Sequence, residues 1–360
     1  MQNRREFLGM MAAGLAGPEW RNRASAMKYR RLGRTGYMVS EIVMGGGGIA
    51  PDNHDHVLLA LDMGLNYLDT APAYGPSEAG YAKVIQARGR DKFFLNSKVS
   101  LWDENRRKLY QEIFDSLPES ERKRLRARAG EEIERSGAAQ PDYFCDYFAG
   151  QERELSSAAL CNVMEAEYGR RIDRGKNYRQ AILDSVEESL KRLGTDYLDL
   201  LMCPHGANTP NEVSRYPETF EAFETLRKAG KVRHLGFSAH TDAAAILRAA
   251  MKTGVYSAAM VAYNIVNHRF VAGALEEAAK SDFGVISMKA ANPVHRLNEH
   301  KKPVEPGRVR LIDEAVPGPW KIPQKAYMWN LRNRNLSAVI SNMTNAQMVK
   351  DNVPLGMKSA

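Results

Sequence analysis

Short apolar runs alternate with longer amphipathic stretches along most of the chain. An apolar run such as "DYLDLLMC" predicts a buried strand, whereas "YRQAILDSVEESLKRLG", with apolar residues three and four apart and a glycine stop, predicts a helix packed on one face. About eight such helix and strand pairs follow one another, after an opening segment that predicts a short hairpin. The pattern therefore predicts an α/β protein with a parallel sheet.

Eight strands separated by helices favour a closed (β/α)8 barrel, the TIM barrel. The predicted strands are "EIVM", "NYLDT", "DKFFLNSKV", "DYLDLLMC", "VRHLGFS", "SAAMVAYN", "GVISMKA" and "LSAVIS". The alternative is a doubly wound open sheet. No GxGxxG motif follows the first strand, as a dinucleotide-binding sheet of that kind would require.

Residues 101–177 interrupt the alternation between the third strand and its helix. Two stretches of this segment have helical spacing, and Leu117-Pro118 is typical of a helix start. We interpret residues 101–177 as a mostly helical insertion, with residues 27–100 and 178–360 forming the barrel. A loop after a barrel strand lies at the carboxyl-terminal face, where barrel enzymes place their active sites.

Residues 1–26 predict an export signal rather than part of the barrel. Arg4 and Arg5 precede a short, weakly apolar stretch, and "ASA" at residues 24–26 matches a cleavage pattern. This arrangement is typical of a twin-arginine leader, which implies the twin-arginine export machinery as a partner and a periplasmic location. The alternative is a disordered basic tail, in which case the protein stays in the cytoplasm.

Charge and composition narrow the function classes. The 360 residues carry a net charge of +8, of which residues 1–26 contribute +2. No basic run is interleaved with aromatic residues, so nucleic-acid binding is not indicated. No stretch approaches the roughly 18–20 apolar residues of a membrane span.

The cysteines and one histidine pair do not predict a metal centre. Cys145, Cys161 and Cys203 lack the close spacing of zinc or iron–sulfur ligands. A Cys145–Cys161 disulfide and free buried thiols both remain open. His54 and His56 begin a predicted helix, where a metal site or exposed capping residues are the two interpretations.

Four polar residues lie at or just beyond the ends of predicted strands: Asp69, Tyr74, Lys98 and His205. A lysine ammonium beside a phenol favours the phenolate and lowers its pKa, and a carboxylate keeps the lysine charged. A histidine can orient a carbonyl oxygen by a hydrogen bond. Together these groups suit carbonyl reduction, in which hydride reaches carbon and Tyr74 gives a proton to oxygen.

At these residues the chain resembles the aldo-keto reductase family, over about residues 28–353. The matching stretches include "GLNYLDTAPAYG", "LNSKV", "SLKRLGTDYLDLL", "LRKAGKVRHLGFS", "VAYNIVNH" and "NMTNAQMVKDN". The resemblance implies a (β/α)8 barrel and a nicotinamide dinucleotide, NADP or NAD. It also implies that Tyr74 is the general acid and base, Lys98 its partner and Asp69 the counter-ion of the lysine.

The resemblance also implies a set of cofactor contacts. Ser238 and Asn264 match positions that touch the nicotinamide carboxamide, and Lys289 is either a contact of the pyrophosphate or a surface lysine. The last motif resembles the adenosine-binding loop and helix. The implied cofactor-binding residues are Ser238, Asn264, Met288, Lys289, Asn342, Thr344, Gln347, Met348 and Asn352.

Three positions depart from the family pattern. The family histidine falls five residues after Asp199, where this chain has Pro204, and the histidine follows as His205. A shift of one residue turns a strand side chain to the opposite face, unless Pro204 marks a bulge or the strand end. Met288 stands where many members stack an aromatic ring, and Met348 replaces a residue often used near the 2′-phosphate, which leaves NADP and NAD open.

The sequence therefore predicts an NAD(P)(H)-dependent oxidoreductase that reduces an aldehyde, ketone or sugar-like carbonyl, or oxidises the alcohol. Residues 101–177 would act as a lid or specificity module, and His295 and His300 lie in a loop near the mouth. The alternative is a non-catalytic barrel that binds a nucleotide or a protein partner through the insertion. The two hypotheses differ in whether His205 faces Tyr74.

Overall fold

The computed structural model of the protein describes residues 27–99, 101–296 and 302–357. Eight parallel strands close into a barrel in the order β10-β3-β4-β5-β6-β7-β8-β9. The barrel strands are β3 (Ile42–Met44), β4 (Tyr67–Asp69), β5 (Phe94–Lys98), β6 (Leu198–Met202), β7 (Val232–Ala239), β8 (Ala258–Ala262), β9 (Gly284–Met288) and β10 (Ala338–Ser341). The predicted (β/α)8 barrel is confirmed, and the open-sheet alternative is wrong.

The opening segment forms the predicted antiparallel hairpin of β1 (Tyr29–Arg31) and β2 (Met38–Ser40). The helices around the barrel follow the predicted amphipathic stretches. They are α1 (Asp55–Asp62), α2 (Ser77–Arg88), α7 (Ala181–Leu193), α8 (Asn211–Ser214), α9 (Pro217–Lys228), α10 (Ala243–Thr253), α11 (His268–Lys280), α12 (Pro306–Ala315), α13 (Ile322–Leu331) and α14 (Ala346–Asn352). Helices α8 and α12 are not among the predicted stretches, because α8 is a single turn of four residues and the apolar residues of α12 are interrupted by a glycine and charged residues.

The segment between β5 and β6 is mostly helical, as the spacing predicts. It contains α3 (Leu101–Asp115), α4 (Glu119–Ser136), α5 (Pro141–Phe144) and α6 (Gln151–Tyr168). The predicted boundary at residue 177 falls inside a helical stretch, because a π-helical turn at Gly175–Gln180 runs directly into α7. We call residues 101–171 the helical segment; that it is an insertion relative to other barrels stays a prediction.

The pleat of the strands determines which side chains point into the barrel. Tyr67 on β4 and Phe94 on β5 belong to the apolar cluster inside the barrel. Side chains alternate faces along a strand, so Asp69, two residues after Tyr67, and Lys98, four residues after Phe94, face the same interior. Both lie at the carboxyl ends of their strands, and the register of β4 on β5 pairs Asp69 with Asn96.

Several smaller predictions also have an outcome. All three cysteines are free and buried, so the Cys145–Cys161 disulfide is wrong. No group of His, Cys, Asp and Glu within the described residues is arranged to hold a metal ion, and His54 precedes α1 without a capping hydrogen bond. The described helices include none long and apolar enough to cross a bilayer. The leader at residues 1–26 and His300 lie outside the described residues.

Candidate active site

A buried acid–lysine pair lies at the carboxyl-terminal mouth of the barrel. The Lys98 ammonium donates to Asp69 Oδ1 at 2.5 Å and to the Thr70 carbonyl oxygen at 2.9 Å, and Asn96 Nδ2 donates to the same Asp69 oxygen at 2.9 Å. Burial lowers the pKa of Lys98, but the carboxylate of Asp69 and the Tyr74 phenol outweigh it, so the pKa is raised overall. Lys98 is therefore held as a fixed positive charge.

Tyr74 lies directly over this charge. A 3₁₀ turn at Pro72–Tyr74 follows β4 and brings the ring to 4.5 Å from Lys98 Nζ, measured to the ring centroid, and the ammonium hydrogen-bonds the phenol oxygen. Burial raises the pKa of Tyr74, Lys98 lowers it and Asp69 raises it; the net direction is upward. Lys98 thus lowers the pKa of the phenol in the predicted direction, but burial has the larger, opposite effect. Tyr74 is therefore protonated and ready to act as an acid.

His205 faces Tyr74, with ring centroids 5.7 Å apart in an edge-to-face arrangement. Strand β6 ends at Met202, and residues 203–206 form a bend tied to β7 by the hydrogen bond from Ser238 N to the Pro204 oxygen. Side chains alternate between the two faces only along the strand itself. Because His205 lies beyond the end of β6, its shift by one residue from the family position does not turn its ring away from Tyr74. Burial, and then the charge of Lys98, lowers the pKa of His205 to about 3, so its ring is neutral.

A large cavity of about 1070 Å³ opens from Asp69 and Tyr74 across the mouth of the barrel. Its volume lies at the upper end of the range for small-molecule sites. The glycines after β3 form one wall, and they are packed tightly: a Cβ on Gly46 would lie 2.3 Å from the Asp69 carbonyl oxygen. The far end of the cavity reaches the loop after β10 and α14.

Most of the predicted cofactor-binding residues line this cavity. They are Met288, Lys289, Asn342, Gln347, Met348 and Asn352. Thr344 does not line the cavity. Its backbone N–H and its hydroxyl both donate to Met348 Sδ at 3.5 Å. His295, predicted near the mouth, also lines the cavity.

Ser238 and Asn264 are not among the lining residues. Ser238 Oγ accepts from the Gly206 N–H at 2.9 Å. Asn264 is fully buried, and its Nδ2 donates to the Tyr147 hydroxyl at 2.9 Å while its Oδ1 caps the turn before α11. These bonds already engage both side chains. The predicted contact of Asn264 with a carboxamide requires Tyr147 to release its amide group, and that of Ser238 requires its hydroxyl to serve a carboxamide as well as Gly206.

Lys289 is the residue of the cavity wall best suited to an anion. Its backbone has a φ of +58°, a conformation that non-glycine residues adopt at a cost and that clusters at functional sites. Burial lowers the pKa of its ammonium, and no carboxylate among the described residues lies within ion-pair distance of it. Since a cation removed from water needs a negative partner, a diphosphate in this cavity would supply one. Lys289 is partly buried in the cavity wall, which favours the anion contact over a surface lysine.

Two more polar atoms of the cavity wall lack a partner. His240 Nδ1 and Asn292 Oδ1 are buried, and neither makes a hydrogen bond within the described residues. A buried polar atom without a partner costs free energy unless a bound molecule or water satisfies it. With Lys289, these atoms fit a large ligand that carries amide, ribose and phosphate groups, as a nicotinamide dinucleotide does.

Sequence reasoning missed three residues of the site. Tyr147 and Phe148 come from the loop between α5 and α6 and cover the cavity from above, and His240 follows β7. Phe148 meets the His240 ring at 5.2 Å and supplies an aromatic surface near Met288, where the family aromatic is absent. His240 could have been found as a polar residue just past a strand end. No local sequence pattern identifies Tyr147 and Phe148 as site residues, because the tertiary packing of the helical segment brings them to the cavity.

The fold and the site together define a barrel oxidoreductase site, in which a phenol, an ammonium and a neutral imidazole converge beside a dinucleotide-sized cavity. The family model "Aldo/keto reductase family" matches residues 44–149 and 171–297, more than half of the chain. The chain therefore belongs to the aldo/keto reductase family, a family of oxidoreductases that use NADP or NAD. The gap in the match, residues 150–170, contains the whole of α6 in the helical segment.

Individual relatives are distant. The chain is 27% identical over 225 residues to the aldo-keto reductase YhdN of Bacillus subtilis, covering 59% of this chain and 47% of that one. It is 26% identical over 228 residues to the aldo-keto reductase AMT2 of Alternaria alternata, covering 60% and 50%. The chain thus spans about half the length of the curated relatives it matches.

Solved structures share the fold. The holo form of an aldo-keto reductase from Bacillus halodurans superposes with a TM-score of 0.60 at 20% identity, covering 92% of each chain. An aldo/keto reductase from Brucella melitensis gives a TM-score of 0.54 at 19% identity, covering 91% of this chain and 93% of the other. At such identities the superposition supports the barrel alone.

Proposed function

We propose that the protein reduces an aldehyde or ketone with a nicotinamide dinucleotide, or oxidises the corresponding alcohol. The observation that carries this proposal is the convergence of Tyr74, Lys98 and His205 at the inner end of the large cavity. The ring contact between Tyr74 and His205 also removes the support for a non-catalytic barrel, which rested on a histidine turned away.

Each side chain has a separate task in the proposed reduction. A reduced nicotinamide dinucleotide held in the large cavity would supply the hydride for the carbonyl carbon. Neutral His205 donates a hydrogen bond to the carbonyl oxygen and orients it. Tyr74 transfers its phenolic proton to that oxygen, which becomes the hydroxyl of the alcohol, and the Lys98 ammonium stabilises the resulting phenolate. Asp69 keeps Lys98 in place and charged.

Lys289 is the residue of this chain proposed to hold the diphosphate. Titration of the purified protein with NADPH and with NADH, followed by nucleotide fluorescence, tests this assignment. Lys289→Met should weaken binding about tenfold, a loss of about 1.4 kcal/mol. Lys350→Met, an exposed lysine on α14 that does not line the cavity, is the matched control and should bind like the wild type. Equal affinity in both variants would contradict the assignment.

Turnover is tested with a panel of aldehydes and ketones, following the absorbance of the reduced nucleotide. The wild type should oxidise the nucleotide only when a carbonyl compound is present, and the corresponding alcohols should reduce the oxidised nucleotide. Tight nucleotide binding without turnover on any carbonyl or alcohol would contradict the proposed activity and favour the non-catalytic barrel.

We also propose that residues 1–26 direct export through the twin-arginine machinery, which carries folded proteins and would allow the dinucleotide to be loaded before export. The support is the sequence of the leader alone. In a bacterium with that pathway, Arg4→Lys with Arg5→Lys should leave the protein in the cytoplasm, whereas Arg21→Lys with Arg23→Lys should not. Export of both double variants to the same extent would contradict the proposal.

A further inference from the structure

The large cavity has an outer end that lies away from the reaction centre. Asp69 and Tyr74 line the inner end, Lys289 follows β9, and the outer end is formed by the start of α13, the loop after β10 and α14. A dinucleotide carries its diphosphate between its two nucleosides. On the proposed function, the nicotinamide lies beside Tyr74 and the diphosphate at Lys289, so the adenosine lies at the outer end.

The wall of this outer end carries one cation and one carboxylate. It comprises Lys321, Ile322, Pro323, Gln324, Tyr327, Asn342, Asn345, Gln347, Met348, Asp351 and Asn352. Lys321 Nζ donates to Asp351 Oδ2 at 2.5 Å, so the two charges are paired with each other. Within the described part of the chain, the outer end therefore has no net positive charge to attract a further anionic group.

Asp351 is held in this wall by three hydrogen bonds. Besides the bond from Lys321, Gln347 Nε2 donates to Asp351 Oδ1 at 3.0 Å, and Gln324 Nε2 donates to the Asp351 carbonyl oxygen at 2.9 Å. The bonds from Lys321 and Gln347 lower the pKa of the carboxyl group, so it stays ionised. Each carboxylate oxygen has two lone pairs, and Asp351 can still accept a hydrogen bond from a ligand.

The other polar side chains of the outer end are uncharged and are engaged locally. Asn342 packs against the glycines after β3, where a Cβ on Gly47 would lie 2.9 Å from its Nδ2. Asn345 Oδ1 accepts from the Met348 N–H at 3.0 Å, and Asn352 Nδ2 donates to Ser341 Oγ at 3.1 Å. Amides and a thioether suit a base and ribose hydroxyls better than a second phosphate.

We propose that the protein uses NAD(H) in preference to NADP(H), and that Asp351 is the residue that discriminates between them. The inference rests on the proposed function and specifies the nucleotide of that same site. The two nucleotides differ only at the adenosine ribose, where NAD has a 2′-hydroxyl and NADP has a phosphate of about −1.5 to −2 charges near pH 7.

The two ribose groups interact with Asp351 in opposite ways. A 2′-hydroxyl can donate a hydrogen bond to the carboxylate, as it does to the acidic residue of other NAD sites. A 2′-phosphate has only acceptors to offer near pH 7 and is repelled by the carboxylate. To gain a cation, the phosphate would have to separate Lys321 from Asp351, which would leave that carboxylate with one donor fewer.

The first test compares the affinities of NADH and NADPH by nucleotide fluorescence. The wild type should bind NADH at least about tenfold more tightly than NADPH, and Asp351→Asn should reduce this preference about tenfold. Asp62→Asn is the matched control, because Asp62 pairs with Arg88 and does not line the cavity. It should keep the full preference.

A second variant adds a cation to the same wall without touching Asp351. Met348→Arg should strengthen NADPH binding about tenfold and leave NADH binding nearly unchanged, because a guanidinium pairs with a phosphate and not with a hydroxyl. Gln111→Arg adds the same charge on an exposed face of α3, outside the cavity wall, and should bind both nucleotides like the wild type.

Two nucleotide fragments separate this inference from the proposed function, because they cannot be turned over. Calorimetry with 5′-AMP and with adenosine 2′,5′-bisphosphate should show the same preference for the ligand without the 2′-phosphate. That preference supports the inference even when no carbonyl compound is reduced.

Three results would overturn the inference. The first is NADPH binding by the wild type as tight as that of NADH, even when carbonyl compounds are reduced. The second is a preference for NADH that is the same in Asp351→Asn as in the wild type. The third is binding of neither nucleotide, which would overturn the proposed function as well.

Discussion

The reaction centre is bounded by two layers that differ in how they are held. The barrel layer presents Asp69, Lys98 and His205 from strand ends or the residues just after them, and its key contacts are short and buried. The helical layer presents Phe148, Arg107 and Glu154 from a loop and two helices, and the side chains of the last two make no hydrogen bond within the described residues. The groups proposed for the chemistry thus lie in a layer held by short buried contacts, whereas the helical layer leaves Arg107 and Glu154 without a side-chain partner among the described residues.

Among substitutions in the two layers, Lys98→Met in the barrel layer should have the largest effect on stability and turnover. Its removal leaves the buried Asp69 carboxylate without its ion-pair partner, which should lower the free energy of unfolding by about 3–5 kcal/mol and abolish turnover. Urea denaturation measures the first effect. The double variant Lys98→Met with Asp69→Asn should recover a large part of the stability but none of the activity, and unchanged stability in the single variant would contradict a paired buried charge.

A smaller effect concerns His205 and pH. The unfolded chain binds a proton at this histidine near pH 6.5, whereas the folded chain does so only near pH 3, so stability is lost as the pH falls below 6.5. Between pH 6.5 and 5 this contributes a loss of about 2 kcal/mol. Urea denaturation at pH 7 and at pH 5 measures the loss in the free energy of unfolding. This loss should be about 2 kcal/mol smaller in His205→Asn than in the wild type. Equal losses in the two proteins would contradict a neutral, buried imidazole.

The smallest effect should come from Tyr147→Phe, where the helical layer docks on the barrel. The Tyr147 hydroxyl accepts from Asn264 Nδ2 at 2.9 Å and from Asn267 Nδ2 at 3.1 Å. Losing it should lower the free energy of unfolding by about 1 kcal/mol. Phe148→Leu, without a hydroxyl to lose, is the comparison for thermal and urea denaturation. If Asn264 turns toward the dinucleotide in the holoenzyme, it no longer bonds the Tyr147 hydroxyl. The loss in the free energy of unfolding caused by Tyr147→Phe should then be smaller when nucleotide is present.

The sequence predicted the barrel layer well because its information is local. Strand periodicity located all eight strands, and polar residues at their ends identified Asp69, Lys98 and His205. The same reasoning placed Tyr74 in the site and predicted that Lys98 lowers its pKa. It did not reveal that burial raises this pKa by more, because the extent of burial is not visible in the sequence. It also left the direction of His205 open, since the point where β6 ends depends on pairing with β7.

The helical layer was predicted only as helices. Which of its residues face the cavity depends on how α3 and α6 pack on the barrel. The charged spacing of "DENRRKLYQE" does not distinguish Arg106, which is buried and hydrogen-bonded, from Arg107, which is exposed and makes no side-chain hydrogen bond with any residue that the structure describes. Likewise, the motif containing Asn264 gave no sign that Tyr147, more than a hundred residues earlier, would occupy its amide. Long-range contacts of this kind are absent from local patterns.

The central claim, proton transfer from Tyr74 to a carbonyl beside a bound nucleotide, is tested most directly by a single-turnover experiment with Tyr74→Phe. The protein is loaded with reduced nucleotide carrying deuterium at the transferring position, and the alcohol product is examined for deuterium on the former carbonyl carbon. The account predicts transfer by the wild type and a rate reduced by about 10²–10⁴ in Tyr74→Phe, with unchanged nucleotide affinity. Transfer at the wild-type rate in Tyr74→Phe would contradict it.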